Sequence, residues 1–192
     1  MIEAAETDGR LKAGGTIVEA TAGNTGLGLA LVGGRKGYRT VLVVPDKMAR
    51  EKVLHAKAMG AEVVTTRSDV GKGHPDYYQD LAAAITQRTP GAFYVNQFAN
   101  PANPLAHEQT TGPEIWSQLS FRGIAPDAFV AGVGTGGTLM GVGRYLRGMA
   151  PGVRLFPVEP ASSPTLSTGH CTGRHRIQGI SDDFIPSNIK LD

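Results

Sequence analysis

Several things are scarce in this chain, and each scarcity closes off a class of function. It has one cysteine, Cys171, so no disulfide can form within it, and a reducing compartment is expected. No apolar run approaches the roughly 20 residues that cross a bilayer. The first residues, Met1-Ile2-Glu3-Ala4-Ala5-Glu6, are acidic and helix-like, which is unlike a signal peptide, so the expected location is cytoplasmic, with no membrane partner. Charge of one sign is also scarce. The formal net charge is +2, and Lys and Arg are scattered without a run that would form a phosphate-binding stripe, so no nucleic-acid partner is expected. His55, His74, His107, His170 and His175 lack metal-ligand spacing. Their one cluster, His170-Cys171 with His175, lies in an irregular stretch without a second dense ligand pair, so no metal is expected. Cys171 as a nucleophile and Asp182-Asp183 as an acid pair give way to blander readings, a loop cysteine and a solvated turn or cap.

What remains is an ordinary globular composition with one excess. Hydrophobic residues make up 41% and charged residues 19%, and 192 residues suffice for one good core or two small ones. Glycine occurs 26 times, about twice its usual share of roughly 7%. The glycines sit between apolar β runs and helical segments, where the backbone must approach something closely.

Short β-branched runs alternate with helical patterns, which predicts repeated βα units and a parallel sheet. Strands are expected at Thr16–Ala20, Thr40–Val44, Ala61–Thr65, Ala92–Asn96, Asp127–Val133 and Val153–Val158. Helices are expected from about Leu27 to Lys36 with Gly37 as the stop, and from about Lys47 to Met59 ending at Gly60. In the second of these, Met48, Val53, Leu54 and Ala58 form the expected apolar face. A further helix, Asp76–Arg88, takes Asp76 as its cap. Asn103-Pro104 supplies a cap and an N1 proline for a helix through His107. Gly112-Pro113 should break that helix, with a second continuing through Trp116 to about Leu119. A helix to about Met149 follows the glycine loop, and after Pro160 regularity fades.

Two loops stand in strand-to-helix positions. In Gly134-Thr135-Gly136-Gly137-Thr138, glycines let backbone N–H groups converge at a helix start, where an anion is favoured, and two hydroxyls add donors. The alternative is a tight turn without a ligand. Gly132, Gly134 and Gly137 also satisfy G-x-G-x-x-G, with Glu159 at the end of the next strand, the outline of a dinucleotide site. The second loop, Thr21-Ala22-Gly23-Asn24-Thr25-Gly26, offers hydroxyls, an amide and free N–H groups without an acid or base, a set suited to holding a carboxylate or an oxygen-rich ring and not to proton transfer. Its alternative is a helix N-cap by Asn24 or Thr25.

The order of these motifs carries more than any one of them. The loop at Thr21–Gly26 resembles the T-S-G-N-T-G loop of the cysteine synthase / cystathionine β-synthase family of fold-type II pyridoxal-phosphate enzymes. Gln97-Phe98, Asn100-Pro101-Ala102-Asn103-Pro104, His107 and Thr110-Thr111-Gly112-Pro113-Glu114 resemble that family's Q-F-x-N-P-x-N-P-x-x-H-x-x-T-T-G-P-E stretch. Gly134–Thr138 is similar to its G-T-G-G-T phosphate loop. Gln178-Gly179-Ile180 with Phe184-Ile185-Pro186 is similar to the segment shaping its substrate mouth.

The resemblance implies an α/β fold of two three-layer α/β/α domains with mainly parallel sheets, tryptophan synthase β-like. These would be a small mobile substrate-binding domain at 9–98 and a partial larger domain at 99–192. It implies pyridoxal 5′-phosphate, held by Asn24 at the 3′-oxygen and by Gly134, Thr135, Gly136, Gly137 and Thr138 at the phosphate. Substrate-binding positions would be Thr21, Ala22, Gly23, Thr25, Gln97 and Gly179, with Ala22 standing where the family has serine. The implied reaction is β-replacement: an activated serine loses its β-substituent and a thiol or sulfide takes its place, giving cysteine or cystathionine. Ile177-Gln178-Gly179-Ile180 leans toward cysteine synthase and Asp183-Phe184-Ile185-Pro186 toward the β-synthase. A homodimer is implied for the full-length protein.

The family's Schiff-base lysine stands in an S-x-K-D-R segment just upstream of M-I-E-A-A-E, with which this chain begins. None of Lys12, Lys36, Lys47, Lys52, Lys57, Lys72 or Lys190 has that context. No catalytic residue is therefore expected within the chain, and truncation at both ends and inactivity are expected. The competing readings are a non-catalytic amino-acid or phosphate-binding module and a fragment of a dinucleotide-binding dehydrogenase.

Overall fold

The computed structural model describes residues 1–190 except Ala22, Thr172, Arg174 and Arg176, and the chain separates into two compact units, Met1–Asn96 and Gln97–Asp192.

The first unit opens with α1 (Ile2–Thr7) and continues β1 (Thr16–Ala20), α2 (Asn24–Arg35), β2 (Arg39–Pro45), α3 (Arg50–Ala58), β3 (Glu62–Thr66), α4 (Tyr78–Arg88) and β4 (Ala92–Tyr94). Its four strands form a sheet in the order β3-β2-β1-β4, every pair parallel. The two-residue period of a strand sorts the apolar side chains into two layers. Val18, Ala20, Val41 and Val43 pack with Ala82, Leu81 and Ile85 of α4. On the other face Ile17, Phe93 and Val95 pack with Ile2, Ala5 and Leu29, and Leu42 and Val44 with Ala30 and Ala56. β2 is therefore a nearly continuous apolar run, as a parallel sheet covered on both sides favours, whereas β1 buries Thr16 and Glu19 among Ile17, Val18 and Ala20. Each fully buried side chain such as Ile17 or Leu42 contributes about 1.5–3 kcal/mol of apolar transfer.

Several element starts differ from the sequence expectation. α2 begins at Asn24, with Gly23 as N-cap and no side-chain cap, so neither Asn24 nor Thr25 serves as one. α3 begins at Arg50, because 46–49 form a turn. Its buried position is Ala56, which packs with Met48 and Val53 of the expected stripe, whereas Leu54 and Ala58 are exposed. α4 begins at Tyr78 without a side-chain cap from Asp76, whose carbonyl instead accepts a bond from Thr66 Oγ1 (2.7 Å).

The second unit runs α5 (Ala102–Ala106), a π-helical turn (His107–Thr111), α6 (Gly112–Phe121), β5 (Ala128–Gly132), α7 (Gly137–Met149), β6 (Arg154–Val158) and α8 (Thr165–Thr168). β5 and β6 form a two-stranded parallel sheet. On one face Phe129 and Leu155 pack against Val142 and Leu146 of α7 and Ile115 and Trp116 of α6. On the other, Val130, Phe156 and Val158 are exposed.

Gly112-Pro113 does not break the helix. The π turn lets α5 run into α6, and Pro113 occupies the first turn of α6, where a missing N–H costs little. Asn103 is not an N-cap either: α5 starts at Ala102 after Pro101, and the Asn103 amide reaches elsewhere.

Candidate functional site

In the first unit, chain order and spatial order part company at β1. α2 leads from β1 to β2 on one side, whereas α4 carries the chain from β3 across to β4 on the other, so β1 and β4 flank a topological switch point. Open α/β sheets bind ligands at the carboxyl ends of strands beside such a point. The loop at 21–26 leaves the carboxyl end of β1 there. Thr21 is buried, its N–H donates to Val43 O (3.0 Å), and its Oγ1 accepts from Gly23 N (3.2 Å). Asn24 is exposed, Thr25 is half-buried, and both open α2. A Cβ at Gly26 would meet Thr21 Cγ2 at 2.8 Å, so glycine there lets the helix close onto the loop. Thr21, Gly23, Asn24 and Thr25 thus lie in one loop without a charged side chain, whereas Ala22 lies outside the described residues.

In the second unit, 134–138 leaves the carboxyl end of β5 and opens α7. Gly136 adopts φ +78°, a left-handed turn that suits glycine, and serves as the N-cap. The first-turn N–H groups of α7 have no carbonyl one turn back. Thr135 is half-buried, Thr138 is exposed, and the loop carries no charged group. Asn103 Nδ2 donates to Thr135 Oγ1 and to Gln97 O, each at 2.9 Å. His107 Nε2 lies 3.2 Å from Thr138 Oγ1, and its Nδ1 lies 2.9 Å from Thr111 Oγ1. Burial lowers the pKa of His107 below the ordinary histidine value, so the ring favours its neutral form. Gly179 comes to the same loop: a Cβ at Gly134 would collide with its carbonyl, and Ser181 N donates to Val133 O (2.8 Å). Gln97 is buried in this unit, with its carbonyl also accepting from Asn188 Nδ2 (2.8 Å).

The donor set fits a phosphate monoester: helix-start N–H groups, two hydroxyls and no carboxylate. It also argues against the dinucleotide reading. Glu159, the acid that would serve a ribose, is spent on α8. Its carboxylate accepts from Leu166 N (2.6 Å), Ser167 N (3.0 Å) and Ser167 Oγ (2.5 Å). Burial alone would raise its pKa, but these bonds bring it below the usual carboxylate value. Among the described residues no three His, Cys, Asp or Glu side chains are grouped to hold a metal, and no helix is long and apolar enough to cross a membrane.

The reading from sequence missed the supporting roles of Asn103 and His107. The N-P-x-N-P-x-x-H spacing placed them on one segment, but nothing local indicated that both side chains would turn toward 135–138.

The family model for pyridoxal-phosphate dependent enzymes matches residues 1–192. A cysteine synthase of Staphylococcus aureus (strain N315) is 46% identical over the whole chain, which covers 60% of that relative. A cystathionine beta-synthase of Apis mellifera is 38% identical over 97% of the chain and 37% of the relative. A solved O-ureido-L-serine synthase superposes with a TM-score of 0.89 at 38% identity, covering 98% of this chain and 58% of that one. Cysteine synthase from Entamoeba histolytica gives a TM-score of 0.85 at the same 38% identity. The chain therefore spans about 60% of the length of the Staphylococcus aureus cysteine synthases and 54% of the Entamoeba histolytica chain. The α/β class with parallel sheets expected from the sequence is the class observed.

Proposed function

Because the chain belongs to the pyridoxal-phosphate dependent enzymes, we propose that it is part of a cysteine synthase-like enzyme acting in cysteine biosynthesis, with cystathionine formation as the second reading. The observation that carries this is the loop 134–138. It combines a left-handed Gly136, an α7 start and two hydroxyls without any acid. When bound, pyridoxal phosphate supplies an electron sink for a carbanion at the amino-acid Cα. In this reading Gly134, Thr135, Gly136, Gly137 and Thr138 hold the phosphate and Asn24 donates to the 3′-oxygen. Thr21, Gly23 and Thr25 bind the carboxylate of an activated serine, as does Gln97, and Gly179 shapes the mouth for a thiol or sulfide. Ala22 contributes no hydroxyl. The small domain at 9–98 is the mobile one, the larger domain at 99–192 is partial, and the full-length protein is a cytoplasmic homodimer.

The lysine that anchors the cofactor does not belong to these 192 residues in this reading, and the chain alone is inactive. Incubation with pyridoxal phosphate, borohydride reduction and intact-mass measurement test it. No stoichiometric adduct should form. Adding an upstream segment carrying S-x-K-D-R should produce one adduct at that lysine, together with β-replacement of an activated serine by sulfide. A stoichiometric adduct on one lysine of the 192-residue protein would overturn the assignment.

A further inference from the structure

We propose that Asn103 and His107 are positioning residues that turn Thr135 and Thr138 into committed hydrogen-bond donors toward the cofactor phosphate. The inference rests on the reading of 134–138 as the phosphate loop and adds a mechanism for its proton directions.

A threonine hydroxyl has one proton and two lone pairs. A phosphate oxygen without a proton can only accept, so a hydroxyl serves it only when the hydroxyl proton points outward. Thr135 Oγ1 receives Asn103 Nδ2 at 2.9 Å and Gly137 N at 3.3 Å. Both are donors, so they occupy the lone pairs and leave the proton unspent. The Asn103 amide cannot be turned over. The same Nδ2 lies 2.9 Å from Gln97 O, which only accepts, and a flip would set two oxygens against each other. Glycine at 137 makes the approach possible, because a Cβ there would lie 2.6 Å from Asn103 Cγ.

Thr138 is handled through a ring. His107 Nε2 is 3.2 Å from Thr138 Oγ1 and Nδ1 is 2.9 Å from Thr111 Oγ1, which allows two proton arrangements. The proposal selects one of them. Thr110 gives its proton to Ala106 O (2.7 Å), one turn back. Thr111 Oγ1 has the ring as its partner, and the proposal gives its proton to Nδ1. The neutral ring then carries its proton on Nε2, donates it to Thr138, and leaves the Thr138 proton free. Glu108 and Arg144, the charged pair on the same two elements, face each other at 3.6 Å, and burial disfavours a second proton on the ring. Gly141 allows α7 to come this close, since a Cβ there would stand 2.7 Å from His107 Cβ.

The test compares pyridoxal 5′-phosphate with pyridoxal, which lacks the phosphate, by calorimetric titration of the 192-residue protein and of Asn103→Leu, His107→Phe and His107→Gln. The wild type should prefer the phosphorylated form. Asn103→Leu and His107→Phe should each reduce that preference roughly tenfold, the scale of one hydrogen bond to a charged group, with pyridoxal affinity unchanged. His107→Gln, which restores an N–H near the Nε2 position, should recover most of it. If both ligands weaken equally, or the preference survives in the Leu and Phe variants, the positioning role is wrong and the phosphate loop stands. If the wild type shows no preference, the phosphate-loop reading falls and this proposal with it. A measurement needing no variant is the ¹⁵N spectrum of the His107 ring at neutral pH. A protonated Nε2 with a bare Nδ1 is expected, and the reverse tautomer overturns the assignment for Thr138.

Discussion

At the scale of single residues, His107 ties binding geometry to pH. Its folded pKa is lowered by burial, so the unfolded chain binds the ring proton more readily than the folded one. Stability from this group is therefore fully present above the ordinary histidine value of 6.5 and is lost as pH falls from there through the folded pKa. Melting midpoints of wild type and His107→Gln should run parallel above that value and converge or cross below it. Curves that stay parallel down to about pH 5, where an unperturbed histidine is fully charged, would remove His107 as the source. Gly26 offers a steric counterpart in the first unit. An alanine there puts a Cβ 2.8 Å from Thr21 Cγ2 and 3.1 Å from Leu42 Cδ1. Gly26→Ala should cost about 1–3 kcal/mol, the usual range for overpacking, in urea denaturation followed by a probe in Met1–Asn96. A change below about 0.5 kcal/mol would show that the loop yields.

At the scale of elements, the π turn at 107–111 explains why a glycine-proline pair sits inside a continuous helical path. The extra residue shifts the turn so that Pro113 falls in the first turn of α6, and it places Thr111 beside the His107 ring. Gly112 packs against α7: a Cβ there would meet Tyr145 Cβ at 2.7 Å. Gly112→Ala should destabilise the second unit by about 1–3 kcal/mol, while Phe121→Ser, at a 93% exposed position, should change it by less than about 0.5 kcal/mol. Equal effects from the two would mean that the α6–α7 contact is not tight. The same segment marks where local sequence stops being informative. Strand runs such as Thr40–Val44 and stops such as Gly37 and Gly60 were legible because β-branching and a positive φ are properties of a few adjacent residues. The start of α3, the Asp76 cap and the break at Gly112-Pro113 differ from the sequence expectation, because a turn occupies 46–49, α4 starts at Tyr78 beyond the reach of an Asp76 cap, and a π turn carries the helical path through Gly112. The loops at 21–26 and 134–138 were recognisable from their glycines and hydroxyls. The bonds from Asn103 to Thr135 and from His107 to Thr138 join residues about thirty positions apart, which no periodicity encodes.

At the scale of the whole molecule, the two units are finished to different degrees. In the first, β1 is buried at every position, with β2 on one side and β4 on the other and helices over both faces. In the second, β5 and β6 have helices over one face, while Val130, Phe156 and Val158 turn outward uncovered. Parallel strands are rarely left that way, because a sheet built by βα crossovers normally carries layers on both sides. Amide protection tracks how completely the hydrogen-bonded backbone is sealed from water, and local opening is cheapest where few apolar contacts must be lost. Native-state hydrogen exchange should therefore protect the ladder amides of Val18, Val41 and Val43 longer than those of Phe129, Ala131 and Phe156. The second unit should also show a separate opening at lower denaturant. Pairing Val130→Thr with Phe156→Thr should reduce dye binding to exposed apolar surface without shortening protection in β1. Equal protection in the two sheets would mean that α6 and α7 alone stabilise β5 and β6 as fully as two helical layers stabilise β1. The outward apolar face would then have to be explained by solvent-tolerant packing and not by a missing cover.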